Sequence, residues 1–287
     1  MKVNKLECFS DSHLLFIEDV FEEHTDLHGE IIASANSNRN KGIFEFLNVN
    51  SSPVYASAHE SGWHPHCVYI RLVYDLASVD VELLQAAAEF LSKEFSKPLF
   101  FLLDDRFSSL QDVLKEQQFN MIRKTEVLHI RPNKHEKEIM TSLKTIAQIS
   151  EDIDMMDSLV ELFIRTYTET HISNPVGDHS MESWRQIAFD GMLESHSYVV
   201  LKGKEVIAFS LMYGSDNNSW ELGWIGVDEY SNLPLLDDLM IQQINDATQK
   251  GISYIEKEVD STCPYSLHIC EIIEYEVVET FFAYMNL

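Results

Sequence analysis

The sequence predicts an α/β protein built from two units in tandem, each a mixed central sheet flanked by helices. Three observations predict it. The chain has 287 residues, more than the roughly 100–150 of a common single domain. Its most polar stretch, Arg131-Pro132-Asn133-Lys134-His135-Glu136-Lys137-Glu138, lies near the midpoint between two apolar, β-like segments, and Pro132 disfavours strand continuation. The order of strands and helices before that stretch repeats the later part of the order after it. The expected units are residues 1–131 and 143–287, joined by a linker over 132–142.

In the first unit, Gly42–Asn48, Pro53–His59 and Cys67–Leu76 read as a strand meander. Val81–Phe95 is a helix with Leu83, Leu84, Ala87, Phe90 and Leu91 on one side. Leu99–Leu103 is a fully apolar strand, Ser108–Gln117 a helix, and Asn120–Ile130 a closing β segment. No full pair of opening helices is expected here.

The second unit opens with a short strand, Lys144–Ile149. A helix follows from Asp152, with Met155, Met156, Leu159, Val160, Phe163, Ile164 and Tyr167 at the three-and-four spacing of a buried face. Asn174-Pro175 and Gly177 break the pattern, and Ser180 starts a second helix through Phe189. Strands Ser197–Leu201, Glu205–Tyr213 and Trp220–Val227 form a meander. After Pro234, Leu235, Leu236, Leu239, Met240, Ile244 and Ala247 mark an amphipathic helix ended by Gly251. A strand (Ile252–Val259), a helix (Tyr265–Ile273) and a last β segment (Tyr275–Tyr284) complete the unit.

The apolar fraction, 45%, is that of a globular protein with a proper core. No segment has the roughly 18 apolar residues of a membrane span, and no signal core follows Met1-Lys2-Val3-Asn4-Lys5. Cys8, Cys67, Cys263 and Cys270 show no disulfide or metal spacing, so the cytoplasm is the expected compartment. A net charge of −26 repels phosphate backbones and anionic membranes, which argues against nucleic-acid and membrane binding. It favours a cationic partner such as an amine or a basic peptide, or serves solubility alone.

The passage Val259-Asp260-Ser261-Thr262-Cys263-Pro264-Tyr265-Ser266, running on to Ile273 and Val278, resembles the V-D-S-x-N-P-x-A segment, last helix and final strand of the GNAT superfamily of acyl-CoA-dependent N-acyltransferases. Glu221-Leu222-Gly223-Trp224-Ile225-Gly226-Val227-Asp228 is similar to that fold's fourth strand. The resemblance covers about the last half of the chain and implies tandem GNAT-like domains. It implies transfer of an acetyl group from acetyl-CoA, as co-substrate, to a primary amine of a small or peptide substrate, with no metal.

The resemblance also assigns residues. Main-chain groups near Ile225, Gly226 and Val227 would hold the pantetheine arm and the thioester carbonyl. The family's R/Q-x-x-G-x-G/A pyrophosphate loop falls on Ser231-Asn232-Leu233-Pro234-Leu235-Leu236, without its glycines, and Asp237 and Asp238 add negative charge to the next turn. Glu221 stands where members often carry a base, or is a solvent-facing strand glutamate. Cys270 takes the place of the family's acid tyrosine, either as thiol proton donor or as a small buried hydrophobe. These departures leave a second reading open, a catalytically inactive ligand- or protein-binding module. An active enzyme should have a V-shaped gap between the fourth and fifth strands, whereas a binding module could have it filled by Leu233 or Trp224.

Other groups are weaker. His59, His64, His66 and Cys67 surround Trp63 and Pro65 as a zinc cluster might, yet without a second ligand pair a solvated turn is favoured. Asp104-Asp105-Arg106 ends an apolar strand as a site or, preferably, as a helix cap. No G-x-S-x-G elbow occurs.

Overall fold

A computed structural model describes residues 1–21, 25–49, 51–134, 137–215 and 218–286. In chain order the first elements are β1 (Lys2–Leu6), α1 (Asp11–Val20), α2 (Thr25–Asn36), β2 (Asn40–Leu47), β3 (Val54–His59) and β4 (Val68–Tyr74). There follow α3 (Val81–Glu94), β5 (Leu99–Asp104), α4 (Ser108–Glu116) and β6 (Asn120–Ile130). The later chain gives β7 (Leu143–Thr145), α5 (Ile146–Ile149), α6 (Ile153–Thr170), α7 (Met181–Phe189), β8 (Tyr198–Lys202), β9 (Glu205–Gly214) and β10 (Trp220–Val227). It closes with α8 (Leu235–Lys250), β11 (Ile255–Asp260), α9 (Pro264–Cys270) and β12 (Glu276–Met285).

Two compact units result. One spans Met1–Lys124 with Ser173–Gly177 and the stretch from Phe281; the other spans Thr125–Ile172 and Asp178–Thr280. In the first, β1 to β4 pair antiparallel in succession, β4 pairs parallel with β5, and β5 pairs antiparallel with residues 281–285 of β12. Its core centres on Phe44, Phe46, Ile70, Leu84, Leu91, Phe101 and Tyr284. In the second, residues 125–130 of β6 pair antiparallel with β11, β11 pairs parallel with β10, and β10, β9, β8 and β7 follow antiparallel. The apolar face of α8 (Leu236, Leu239, Met240, Ile244, Ala247) packs on Leu222, Ile225 and Val227 of β10.

Three local outcomes differ from the sequence reading. The amino-terminal unit does have an opening helix pair. Ser10 caps α1 in a reciprocal box with His13, and Ile17 and Ile31 anchor α1 and α2 in the core. Of the expected strand 144–149, only the start is extended. Thr145 accepts from the Gln148 amide, Gln148 reaches back in a capping box, and the chain turns into α5. Each unit also takes a closing β segment from the other half of the sequence, because residues 125–130 pair with β11 and 281–285 with β5.

The minor candidates resolve as structure. Asp104 caps the 3-10 turn after β5 through the Arg106 amide and pairs with its guanidinium. Among the described residues no group of three potential ligands could hold a metal. Within the first unit, His59 Nδ1 meets the Ser34 hydroxyl at 2.8 Å, and His64 Nδ1 meets the Asn174 carbonyl at 2.8 Å. The buried Cys67 thiol faces Asn174 Oδ1. Burial pushes that thiol up to about 12 and, with Arg71 adding to it, His59 down to about 4.

Candidate active site

The fourth and fifth strands of the second unit, β10 and β11, pair only at Trp220–Ile255 and Glu221–Glu256. Beyond these residues the ladder ends, and the edge of β10 that carries Ile225, Gly226 and Val227 has no partner in β11. On its other edge β10 holds to β9 with a bulge. Leu222 lies opposite Met212 and Ile225 opposite Ser210, so Gly223 and Trp224 together face one residue. A bulge of this kind turns main-chain groups out of the ladder and bends the strand.

Both glycines permit close approach. A Cβ at Gly223 would fall 2.4 Å from the Tyr213 ring, and one at Gly226 would fall 2.6 Å from Thr166 Cγ2 and 2.9 Å from Phe209. Helix α6 is thereby seated tightly against the bulged strand. Its Arg165 donates to the Val227 carbonyl at 3.3 Å. Trp224 does not fill the gap between the strands; it packs on Phe163 and Tyr167 of α6, with ring centroids 5.5 and 5.1 Å away. Leu233 packs on the core beneath α8. The side chain that does reach across is Lys257 of β11, 5% exposed, whose ammonium nitrogen donates to the Gly223 carbonyl at 2.8 Å. Burial holds its pKa below the usual lysine range, while Cys263, Glu258, Asp260 and Glu221 act the other way.

The turn after β10 satisfies itself. Asn232 donates from its amide to the Glu229 carbonyl at 2.8 Å and from its side chain to Asp228 at 2.6 Å. The amides of Leu233 and Leu236 donate to Tyr230 and Leu233, Pro234 has no amide to offer, and the Ser231 hydroxyl donates to Glu229. In the first turn of α8, Asp237 pairs with Lys137 at 3.2 Å and His268 at 2.9 Å, and Asp238 accepts from the amides of Met140 and Thr141. These carboxylates and inward-turned amides do not fit a pyrophosphate, which needs free N–H groups and positive potential. The free edge of β10, by contrast, fits an extended pantetheine arm.

Glu221 is exposed at the closed end of the gap, beside Tyr213. Cys270, at the end of α9, donates to the Ser266 carbonyl at 3.4 Å, and burial, then Glu126, raises its pKa. The sequence reading passed over two groups. Lys257 was one; the other is Tyr265, buried at the start of α9, whose hydroxyl donates to Glu169 of α6 at 2.8 Å. Burial and that carboxylate both raise its pKa. The signal for Tyr265 was its place directly after Pro264, the residue that starts the helix.

Solved structures with the same arrangement span nearly the whole chain. A GCN5-related N-acetyltransferase from Sphaerobacter thermophilus matches with a TM-score of 0.61 at 10% identity, covering 99% of this chain and 95% of its own. The fold is that of the GNAT superfamily. A GNAT-family acetyltransferase from Colwellia psychrerythraea matches at 0.56 and 9% identity over 100% of both chains. A tandem GNAT protein from the clavulanic acid biosynthesis pathway matches at 0.55 and 10% identity over 99% and 98%. No family model and no curated protein matches the sequence. The chain therefore has a tandem GNAT fold, and at this identity the likeness carries the fold alone.

Proposed function

We propose that the second unit is an acyl-CoA-dependent N-acyltransferase, moving an acetyl group from acetyl-CoA to a primary amine of a small or peptide substrate. The observation that carries this reading is the edge of β10 beyond Glu221, which has no strand partner in β11 and lies beside a bulge. Main-chain donors around Ile225–Val227 would hold the arm and polarise the thioester carbonyl. Preorganised donors of this type are usually a large term in acyl transfer. Glu221 would accept the proton of the attacking amine, directly or through water. Cys270 and Tyr265 of α9 are the two groups that would return a proton to the leaving thiolate, each now donating elsewhere, to the Ser266 carbonyl and to Glu169. The acidic surface favours a cationic acceptor. The four free cysteines and the absence, among the described residues, of a helix able to cross a membrane suit a cytoplasmic protein.

Calorimetric titration with acetyl-CoA and with acetyl-pantetheine tests this. With no pyrophosphate cradle, the two donors are expected to bind within about tenfold of each other, a difference of roughly 1.4 kcal/mol. Glu221→Gln should then slow amine acetylation by about 10²-fold or more at unchanged donor affinity. Absence of heat with either donor removes the enzyme reading. It would favour the non-catalytic binding module, to which the self-satisfied turn before α8 already points.

A further inference from the structure

Lys257 has no part in the transfer just described, yet it occupies the apex of the gap. It stands on an inward-facing position of β11, between the buried Ile255 and Val259, and its partner strand on the other side is β6. Among the described residues it is the one buried lysine. Its named partner is an uncharged carbonyl, that of Gly223, in the bulge itself. A buried ammonium with such a partner gives up its proton more readily than one in water. An uncharged amine keeps its hydrogen bond to the carbonyl and gains a lone pair. Ordinary exposed lysines hold that form in about one molecule per thousand or fewer at neutral pH.

We propose that Lys257 is an internal acyl acceptor, modified at Nζ by the acyl thioester that enters the gap. The assignment rests on the thioester reading of that gap. In the step, the amine lone pair attacks the thioester carbonyl carbon, an N–C bond forms and the C–S bond breaks. The sulfur leaves with the electron pair and takes up the proton lost by nitrogen, so a free thiol and an amide are the products. No oxidant or metal is needed. The amide keeps one N–H, enough to retain the bond to the Gly223 carbonyl. An amide does not pass its acyl group on, so the reaction occurs once per chain and leaves the gap filled. The modification therefore closes the site to further donor.

The test uses the full-length wild-type chain with two probes, acetyl-CoA and the acetyl thioester of N-acetylcysteamine, and maps acetyl groups residue by residue by peptide mass. The expected result is one acetyl group on Lys257, appearing at least about tenfold faster than on the exposed Lys93 and Lys250 at neutral pH. That preference should shrink as pH rises toward about 10, where exposed lysines also lose their protons. The groups facing Lys257 are Glu221 on β10, Glu258 and Asp260 on its own strand, Cys263 at the cap of α9 and Cys270 at its end. Urea unfolding should abolish the preference. Binding of acetyl-CoA without acetylation of Lys257 overturns the proposal and leaves the thioester reading standing. No acetylation of Lys257 by either probe, with no binding, overturns both. Acetylation by the short thioester alone upholds Lys257 as acceptor and removes the coenzyme. Lys257→Met should abolish the adduct; if that chain does not fold, the wild-type map decides alone.

Discussion

His59 lies on β3 with its ring beside Tyr69 and its Nδ1 against the Ser34 hydroxyl, in turn bonded to Ser57. Burial, with Arg71 nearby, lowers its pKa from 6.5 to about 4. The folded state thus holds this histidine uncharged while the unfolded chain protonates it near 6.5. Its contribution to stability is complete above that value and is lost as pH falls from about 6.5 to about 4. His59→Gln should remove this part of the acid sensitivity: thermal midpoints of wild type and variant, measured from pH 7 to pH 4, should converge as pH falls. A constant offset across that range would mean His59 titrates in the fold as it does in the unfolded chain. At this scale the sequence was least informative. Alternation along Ile255-Glu256-Lys257-Glu258-Val259 puts Lys257 on the face of Ile255 and Val259, and only the packed sheet shows that Lys257 is buried there. The strand β10 was legible from its likeness to the fourth strand of the GNAT fold and from the amphipathic helix after it. The contact between Tyr265 and Glu169 was not, since it depends on which position of α9 meets α6.

Helix α8 shows how an element can keep its place and change its chemistry. Its length, buried face and Gly251 terminus in the left-handed region follow from sequence periodicity and were readable in advance. The amino terminus carries Asp237 and Asp238 where an anion would need free amides, and Asp237 also pairs with Lys137 and accepts from the His268 ring. In the first unit, α3 follows β4 in the same way, and Asp80 caps it by accepting from the Leu83 amide. Asp237→Asn should release the Lys137 ammonium and remove a carboxylate from the dipole's positive end. Coenzyme A is then expected to bind about three- to tenfold more tightly, with acetyl-pantetheine unchanged. Equal gains for both ligands in the titration would place the effect elsewhere than at the phosphates. The amino-terminal helix pair escaped the sequence reading for the opposite reason: α1 is short and buries only Ile17, so its pattern is faint.

Across the whole molecule, 47 acidic against 21 basic residues set the long-range field. That field draws cationic acceptors and is screened by salt over roughly 8–10 Å at ordinary ionic strength. If acylation is the function, kcat/KM for a doubly charged diamine should fall several-fold from about 50 to about 500 mM salt, and less for a singly charged amine. A flat salt profile for both would assign the acidity to solubility. The tandem order was legible from the repeated succession of elements, but the ownership of the closing strands was not, because pairing between distant segments leaves no trace in local periodicity. That ownership has a cost in time. The Leu99 amide binds the Asn286 side chain across 187 residues of chain. At ribosomal rates of about 5–20 residues per second, the apolar edge of β5 waits roughly 10–40 s for its partner. During that interval Leu99, Phe100, Phe101, Leu102 and Leu103, paired on one side with β4, present an open apolar edge on every nascent chain. Cellular yield should therefore depend on chaperones that shield that edge until translation brings the last strand out.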